Sequence, residues 1–160
     1  MRQPARGVFL LACEADTARL GAAVAGALRA GEAVCLTGVL GAGKSVLARS
    51  LIRTLAPGER DVPSPTFTLV QTYVGERLRI AHFDLYRLED AAEAWELGLE
   101  EALSEGAAVI EWPERLGSHP PVDRLDIEIT VRGGPGEDQS FVREARITPH
   151  GAWKRRAIDL

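Results

Sequence analysis

Short, unbroken apolar runs alternate along this chain with stretches in which apolar residues recur every three or four positions. Ala33-Val34-Cys35-Leu36-Thr37 and Ala107-Ala108-Val109-Ile110 are runs of the first kind. Neither keeps a polar face, as expected of strands covered on both sides in a parallel sheet. Leu20, Val24, Ala27 and Leu28 are of the second kind. They predict a helix capped at Asp16 or Thr17 and running to about Ala30, with Gly31 as its stop. A second helix is predicted from Lys44 to about Leu55, ended by Pro57-Gly58. Glu89 to Glu105 carries a third helical pattern, broken near Gly98 and closed by Gly106. Trp95 and Leu99 fit the packing face of that helix.

Alternation with a period of two marks the remaining elements. Val62-Pro63-Ser64-Pro65-Thr66 is excluded from helix, because each proline drives the residue before it to extended geometry. Thr66 to Val74 predicts a strand, Gly75-Glu76 a hairpin turn and Leu78 to Phe83 the returning strand. Val8-Phe9-Leu10-Leu11 suits an edge strand. Leu125, Ile127, Ile129 and Val131 alternate, a polar glycine-rich turn follows, and Phe141 to Ile147 returns. No repeat or linker divides the chain. The mixture of βα units and hairpins predicts one α/β domain over residues 1–160, a P-loop NTPase-like three-layer sandwich with a mixed, largely parallel central sheet.

Composition changes this picture only at its margins. With 160 residues, 46% of them apolar and 26% charged, the chain has ordinary globular make-up and needs no disulfide staple. Disorder is expected only at the extreme N-terminus and around the Gly-Pro stretch near residue 135. A net charge of −4 with scattered Lys and Arg argues against an autonomous nucleic-acid groove. The Lys154-Arg155-Arg156 cluster reads as a solvated tail. Cys13 and Cys35 are not at metal-ligand spacing and read as buried or half-buried free thiols in a reduced cytosolic compartment. The apolar run Val8 to Ala12 is too short for a signal segment or a membrane span.

The chemistry is concentrated where the first apolar run meets the second helix. Gly38-Val39-Leu40-Gly41-Ala42-Gly43-Lys44-Ser45 satisfies G-x-x-x-x-G-K-[ST]. Glycines allow the backbone to turn its N–H groups inward around phosphates, and the following helix adds the positive end of its dipole. Lys44 supplies a mobile cation for the β- and γ-phosphates, and the Ser45 hydroxyl suits the coordination shell of Mg²⁺. A buried strand before the motif and a helix after it are the context that separates a phosphate loop from a chance glycine-rich turn.

Such a loop requires a carboxylate at the end of a neighbouring strand. Asp84, after Ile80-Ala81-His82-Phe83, and Glu111, after Val109-Ile110, are the candidates. Either also suits capping a strand end or pairing with Arg87 or Arg115. Ser64-Pro65-Thr66 is a rigid loop able to carry a hydroxyl toward a γ-phosphate, or equally a proline-fixed strand entry. Trp112 falls at the sheet edge near the site, with core packing as its alternative. His82 reads as a residue that packs or hydrogen-bonds within its own strand.

Taken together, the phosphate loop, Ser64-Pro65-Thr66-Phe67-Thr68-Leu69-Val70, His82-Phe83-Asp84-Leu85-Tyr86-Arg87-Leu88 and Glu111-Trp112-Pro113-Glu114 resemble the TsaE (YjeE) family. The opening helix and the Arg143-Glu144-Ala145-Arg146 strand are also similar, so the resemblance covers nearly the whole chain. It implies a cytoplasmic Mg²⁺-dependent ATPase that serves the TsaB–TsaD complex in threonylcarbamoyl modification of adenosine 37 in tRNA. It implies no membrane role, and tRNA met only through that complex. On this sequence Leu40, Gly41, Ala42, Gly43, Lys44 and Ser45 would bind phosphates, and Ser45 with Glu111 would hold Mg²⁺. Thr66 and Asp84 would lie beside the γ-phosphate, Trp112 would shape the site, and Glu14 and Arg143 would border the base or ribose. Val39 departs from the family's usual Asp, and Ser45 replaces the commoner Thr while keeping the hydroxyl.

Two further readings share the loop. A small-molecule P-loop kinase would need an acceptor pocket and an arginine-rich lid, and no lid insertion is evident after Glu111. A non-hydrolytic binding module would bind its partner with different affinity in the ATP and ADP states.

Overall fold

A computed structural model describes residues 1–133 and 142–160. Its elements are β1 (Arg2–Pro4), β2 (Gly7–Leu11), α1 (Glu14–Ala27), β3 (Ala33–Thr37), α2 (Lys44–Leu55), β4 (Val70–Val74), β5 (Arg79–Asp84), α3 (Ala91–Glu96), α4 (Leu99–Glu105), β6 (Ala107–Glu111), β7 (Arg124–Arg132), β8 (Val142–His150) and β9 (Ala157–Asp159), with 3-10 turns at Pro113–Leu116 and Gly151–Arg155. The predicted glycine-rich turn near residue 135, and Phe141 at the start of its return strand, lie outside the described residues.

The apolar run of β3 is the middle of a seven-stranded sheet, in the order β2-β8-β7-β3-β6-β5-β4. Strands β7, β3, β6 and β5 are mutually parallel, and antiparallel strands complete both ends. This is the mixed, mostly parallel α/β sheet the pattern predicts. Successive β3 side chains enter opposite cores. Val34 and Leu36 pack with Leu20 and Val24 of α1 and Leu47 and Leu51 of α2. Ala33 and Cys35 pack with Ala94 of α3 and Leu99 of α4. Burial pushes the Cys35 thiol well above its ordinary value, which leaves it a small apolar filler.

Several boundaries differ from the expectation, some for local and some for long-range reasons. Helix α1 starts two or three residues before the expected caps, because the Cys13 carbonyl accepts the N–H groups of Asp16 and Thr17. It ends at Ala27 rather than near Ala30, because arginines from elsewhere take its last carbonyls. Arg77 donates to Ala25 and Leu28, and Arg156 donates to Ala27. Thr66 to Leu69 is a turn, not strand: the Leu69 N–H bonds back to Pro65, and Leu69 adopts φ 67°. The strand therefore begins at Val70. Cys13 is exposed rather than half-buried.

Both chain ends are also built into the fold. The N-terminal segment, expected to be disordered, is β1 and pairs with β9, while the Met1 ammonium meets Asp159 at 2.9 Å. Lys154-Arg155-Arg156 is not a free tail. It follows the fully buried Trp153, and Arg156 forms an ion pair with Glu32, their side chains 11% and 6% exposed. Arg156→Ala leaves that buried carboxylate without its cation and frees the Ala27 carbonyl of α1. It should cost about 3 kcal/mol in urea unfolding. A change below about 1 kcal/mol would show that neither contact matters.

Candidate functional site

Three parallel strands deliver their C-terminal ends to one edge of the sheet, the position at which open α/β sheets bind ligands. β3 passes there into the loop 38–43 and then α2, whose first residues are Lys44 and Ser45. In register beside it, Glu111 of β6 stands opposite Leu36 of β3 on one side and Asp84 of β5 on the other. The two candidate carboxylates are therefore adjacent, and both flank the loop. Both line a cavity of about 350 Å³.

The loop is shaped by close contact. Gly38 has φ +146°, and a β-carbon there would lie 2.6 Å from the carbonyl oxygen of Ile129. Gly41 and Gly43 also have positive φ, so the turn draws on glycine at each bend. Lys44 is buried, and its ammonium donates to the carbonyls of Gly38 and, at 3.1 Å, Val39. Burial holds this amine below the ordinary lysine value, and Glu111, Glu114 and Asp84 partly oppose that shift. Its Nζ also lies 4.1 Å from the centroid of the Trp112 ring. Trp112 is aimed there by a left-handed backbone (φ 60°), its N–H bonded to Leu36 and its ring 4.9 Å from Tyr86.

Around the acids the polar contacts are continuous. Ser45 Oγ donates to Glu111 Oε1 at 3.2 Å. The Tyr86 N–H holds Asp84 Oδ1 at 3.1 Å, and Thr66 Oγ1 donates to Oδ2 at 3.3 Å. Ser64 Oγ lies 3.1 Å from Thr66 Oγ1. The turn at Thr66–Leu69 is what folds these hydroxyls over Asp84.

This geometry invites comparison with known proteins. Residues 11–139 match the sequence profile described as "Threonylcarbamoyl adenosine biosynthesis protein TsaE". The chain belongs to the TsaE family. Its relatives include the tRNA threonylcarbamoyladenosine biosynthesis protein TsaE of Rickettsia felis, 38% identical over 125 residues, or 76% of this chain and 72% of that protein. The TsaE of a Nostoc species is 38% identical over 146 residues, covering 88% and 85%. The crystal structure of Bacillus subtilis YdiB superposes with a TM-score of 0.73 at 25% identity, covering 96% of this chain and 90% of that one. The family places the chain in tRNA threonylcarbamoyladenosine biosynthesis, on a P-loop-like nucleotide-binding fold.

In this TsaE-family chain, nearly every site residue expected from the sequence lines this cavity. Glu14, Leu40, Gly41, Gly43, Lys44 and Ser45 are there, as are Thr66, Asp84, Glu111, Trp112 and Arg143. Ala42 is fully buried instead, and its N–H is bonded to the Val39 carbonyl. Val39, where the resemblance leads one to expect Asp, is 68% exposed. Arg143 lies against Gly43, and its buried Nε has no partner among the described residues.

Ser64, from the loop expected to carry a hydroxyl toward the γ-phosphate, lines the cavity, as do Thr17, Val46 and Tyr86, which the sequence reading does not single out as site residues. Two of them had a readable signal: Thr17 is one helical turn after Glu14, and Tyr86 shares a short turn with Asp84. His82 does not bond within its strand; its Nε2 meets Glu111 Oε2 at 2.7 Å.

The donor set fits the groups the family implies. Ser45 and Glu111 offer hard oxygen atoms, which suit Mg²⁺. Among the described residues no three His, Cys, Asp or Glu side chains group to hold a metal. A cation held by one or two protein oxygens takes its other ligands from phosphate and water, as Mg²⁺ does at nucleotide sites. A buried ammonium bonded only to carbonyls suits a phosphate tail. No helix among the described residues is long and apolar enough to cross a membrane.

Proposed function

We propose that this chain binds ATP with Mg²⁺ and hydrolyses it, in support of the TsaB–TsaD complex that threonylcarbamoylates adenosine 37 of tRNA. The reading rests above all on one observation: the Ser45 hydroxyl and the Glu111 carboxylate meet at 3.2 Å directly beside Lys44, at the end of three parallel strands. The chain works in the cytoplasm, its hydrolysis is slow until the partners engage it, and tRNA is met only through the complex.

The reaction is in-line attack of water on the γ-phosphorus. The bond to the β–γ bridging oxygen breaks, and ADP and inorganic phosphate leave. Lys44 turns from the Gly38 and Val39 carbonyls to the phosphate oxygens and neutralises charge that builds there. The N–H groups of the loop, with Gly41 and Gly43 at its bends, cradle the β-phosphate. Ser45 and Glu111 would hold Mg²⁺, which when bound would supply further charge stabilisation at the phosphate oxygens. Asp84 is fixed through Oδ1 by the Tyr86 N–H, and its carboxylate is the group that orients water and takes its proton. In this structure Oδ2 accepts from Thr66 and Ser64, whose loop closes over the site. Trp112 walls the phosphate side, and Glu14 and Arg143 border the nucleoside.

The test is phosphate release from ATP by the purified chain, alone and with TsaB and TsaD. Slow release that rises about tenfold or more with both partners is expected, of the order a supplied transition-state contact gives. Equal rates remove the partner claim. Transfer of the phosphoryl group to a small acceptor supports the kinase reading instead. Nucleotide-dependent partner binding without any phosphate release supports the binding module.

A further inference from the structure

Glu111 is held at both of its oxygens, and only one holder belongs to the phosphate loop. Ser45 reaches Oε1 from the head of α2, while His82 reaches Oε2 at 2.7 Å from the neighbouring strand β5. The His82 and Glu111 side chains are 2% and 3% exposed, so water does not replace this contact. Strand register enforces it. His82 stands opposite Val109 and Asp84 opposite Glu111, so both β5 side chains share a face with Glu111. The Nδ1 of His82 is buried without a partner among the described residues, whereas Nε2 faces an acceptor. The ring proton therefore belongs on Nε2, where it is donated to Glu111.

We propose that His82 is a positioning residue that engages Glu111 Oε2 and leaves Oε1 as the single oxygen offered beside Ser45, biasing the site toward Mg²⁺ over Ca²⁺. The inference rests on the reading above in which Glu111 serves the metal. Mg²⁺ demands a near-octahedral shell of single oxygen atoms, whereas Ca²⁺ takes more ligands and accepts both oxygens of one carboxylate. A carboxylate with one oxygen tied to an imidazole presents a one-point ligand in a fixed orientation. Without the imidazole it is free to rotate and to offer both oxygens. Groups that orient metal ligands from behind change metal affinity by about 10–100-fold when lost.

The experiment is equilibrium binding of ATPγS, followed by tryptophan fluorescence, as a function of free Mg²⁺ and, separately, of free Ca²⁺. His82→Phe keeps the ring volume and removes the donor; His82→Gln keeps an N–H able to reach Glu111. Thermal unfolding establishes that each variant is folded. His82→Phe is expected to need about tenfold more Mg²⁺ for half-maximal binding, with a smaller loss for Ca²⁺. Binding in EDTA is expected to be unchanged, and His82→Gln to recover most of the Mg²⁺ response. If His82→Phe lowers stability yet leaves the Mg²⁺ and Ca²⁺ curves in their wild-type ratio, His82 only joins two strands and the inference is wrong. Glu111→Gln separates the two levels of the argument. A weakened Mg²⁺ response in Glu111→Gln with a normal one in His82→Phe overturns the positioning role alone. A normal response in Glu111→Gln overturns the metal reading and the positioning role together.

Discussion

Lys44→Ala should lower ATP hydrolysis by about 10²–10³-fold, the cost of removing one preorganised charge from a developing phosphoryl transition state. The fold should survive. The Lys44 amine is bonded only to the Gly38 and Val39 carbonyls, and burial already holds it below its ordinary value. Deleting it therefore loses two hydrogen bonds but also relieves the desolvation of a cation. The two effects oppose, and the melting temperature should move by less than about 4 °C, which corresponds to roughly 1 kcal/mol in a domain of this size. Trp112 gives an internal control, because its ring packs 4.1 Å from the ammonium and its emission should change in the variant even without nucleotide. Single-turnover phosphate release, with and without the partner proteins, is the measurement. Hydrolysis within about twofold of the wild-type rate would end the assignment of Lys44 to the phosphates.

Gly38→Ala should be the most damaging single-methyl addition in the loop. Two independent faults coincide there. The backbone sits at φ +146°, and the added β-carbon would meet the Ile129 carbonyl at 2.6 Å. That carbonyl cannot step aside cheaply, because Ile129 is paired with Ala145 in the β7–β8 ladder. The expected loss is about 3 kcal/mol in guanidinium unfolding, together with loss of nucleotide binding as the loop is pushed off its path. Gly41→Ala is the matched comparison. It also has positive φ, but nothing lies within 4 Å of its β-carbon. It should cost only about 1 kcal/mol. Equal effects at the two positions would mean that the Ile129 contact does not shape the loop.

These two substitutions also show where the sequence is informative. The phosphate loop was legible because its chemistry is contiguous: glycines, ammonium and hydroxyl are neighbours in the chain, and strand and helix adjoin them directly. The inner strands were legible because covering a strand on both faces forces an unbroken apolar run, as in Ala33–Leu36 and Ala107–Ile110. Asp84 and Glu111 announced themselves as acids at strand ends. Their mutual placement depends on a register that pairs residues 27 apart (111 − 84) and has no local signature.

Tertiary structure decided the rest, for a consistent physical reason: each remaining feature depends on a partner distant in the chain. The end of α1 is set by Arg77 and Arg156, which reach carbonyls 49 to 129 residues away. The apparent strand at Thr66 became a turn because Asp84 offers an acceptor to its hydroxyl and Leu69 offers its carbonyl to the Asp84 N–H. The two chain ends look polar and unstructured by themselves and become ordered only as each other's strand partner. His82 reads as an ordinary strand residue until Glu111 arrives beside it. The sequence by itself determined the α/β class, the central strands and the phosphate loop, because burial period and turn chemistry are local. Which polar groups meet around that loop was left to the packing, because hydrogen-bond partners are chosen by distance in space.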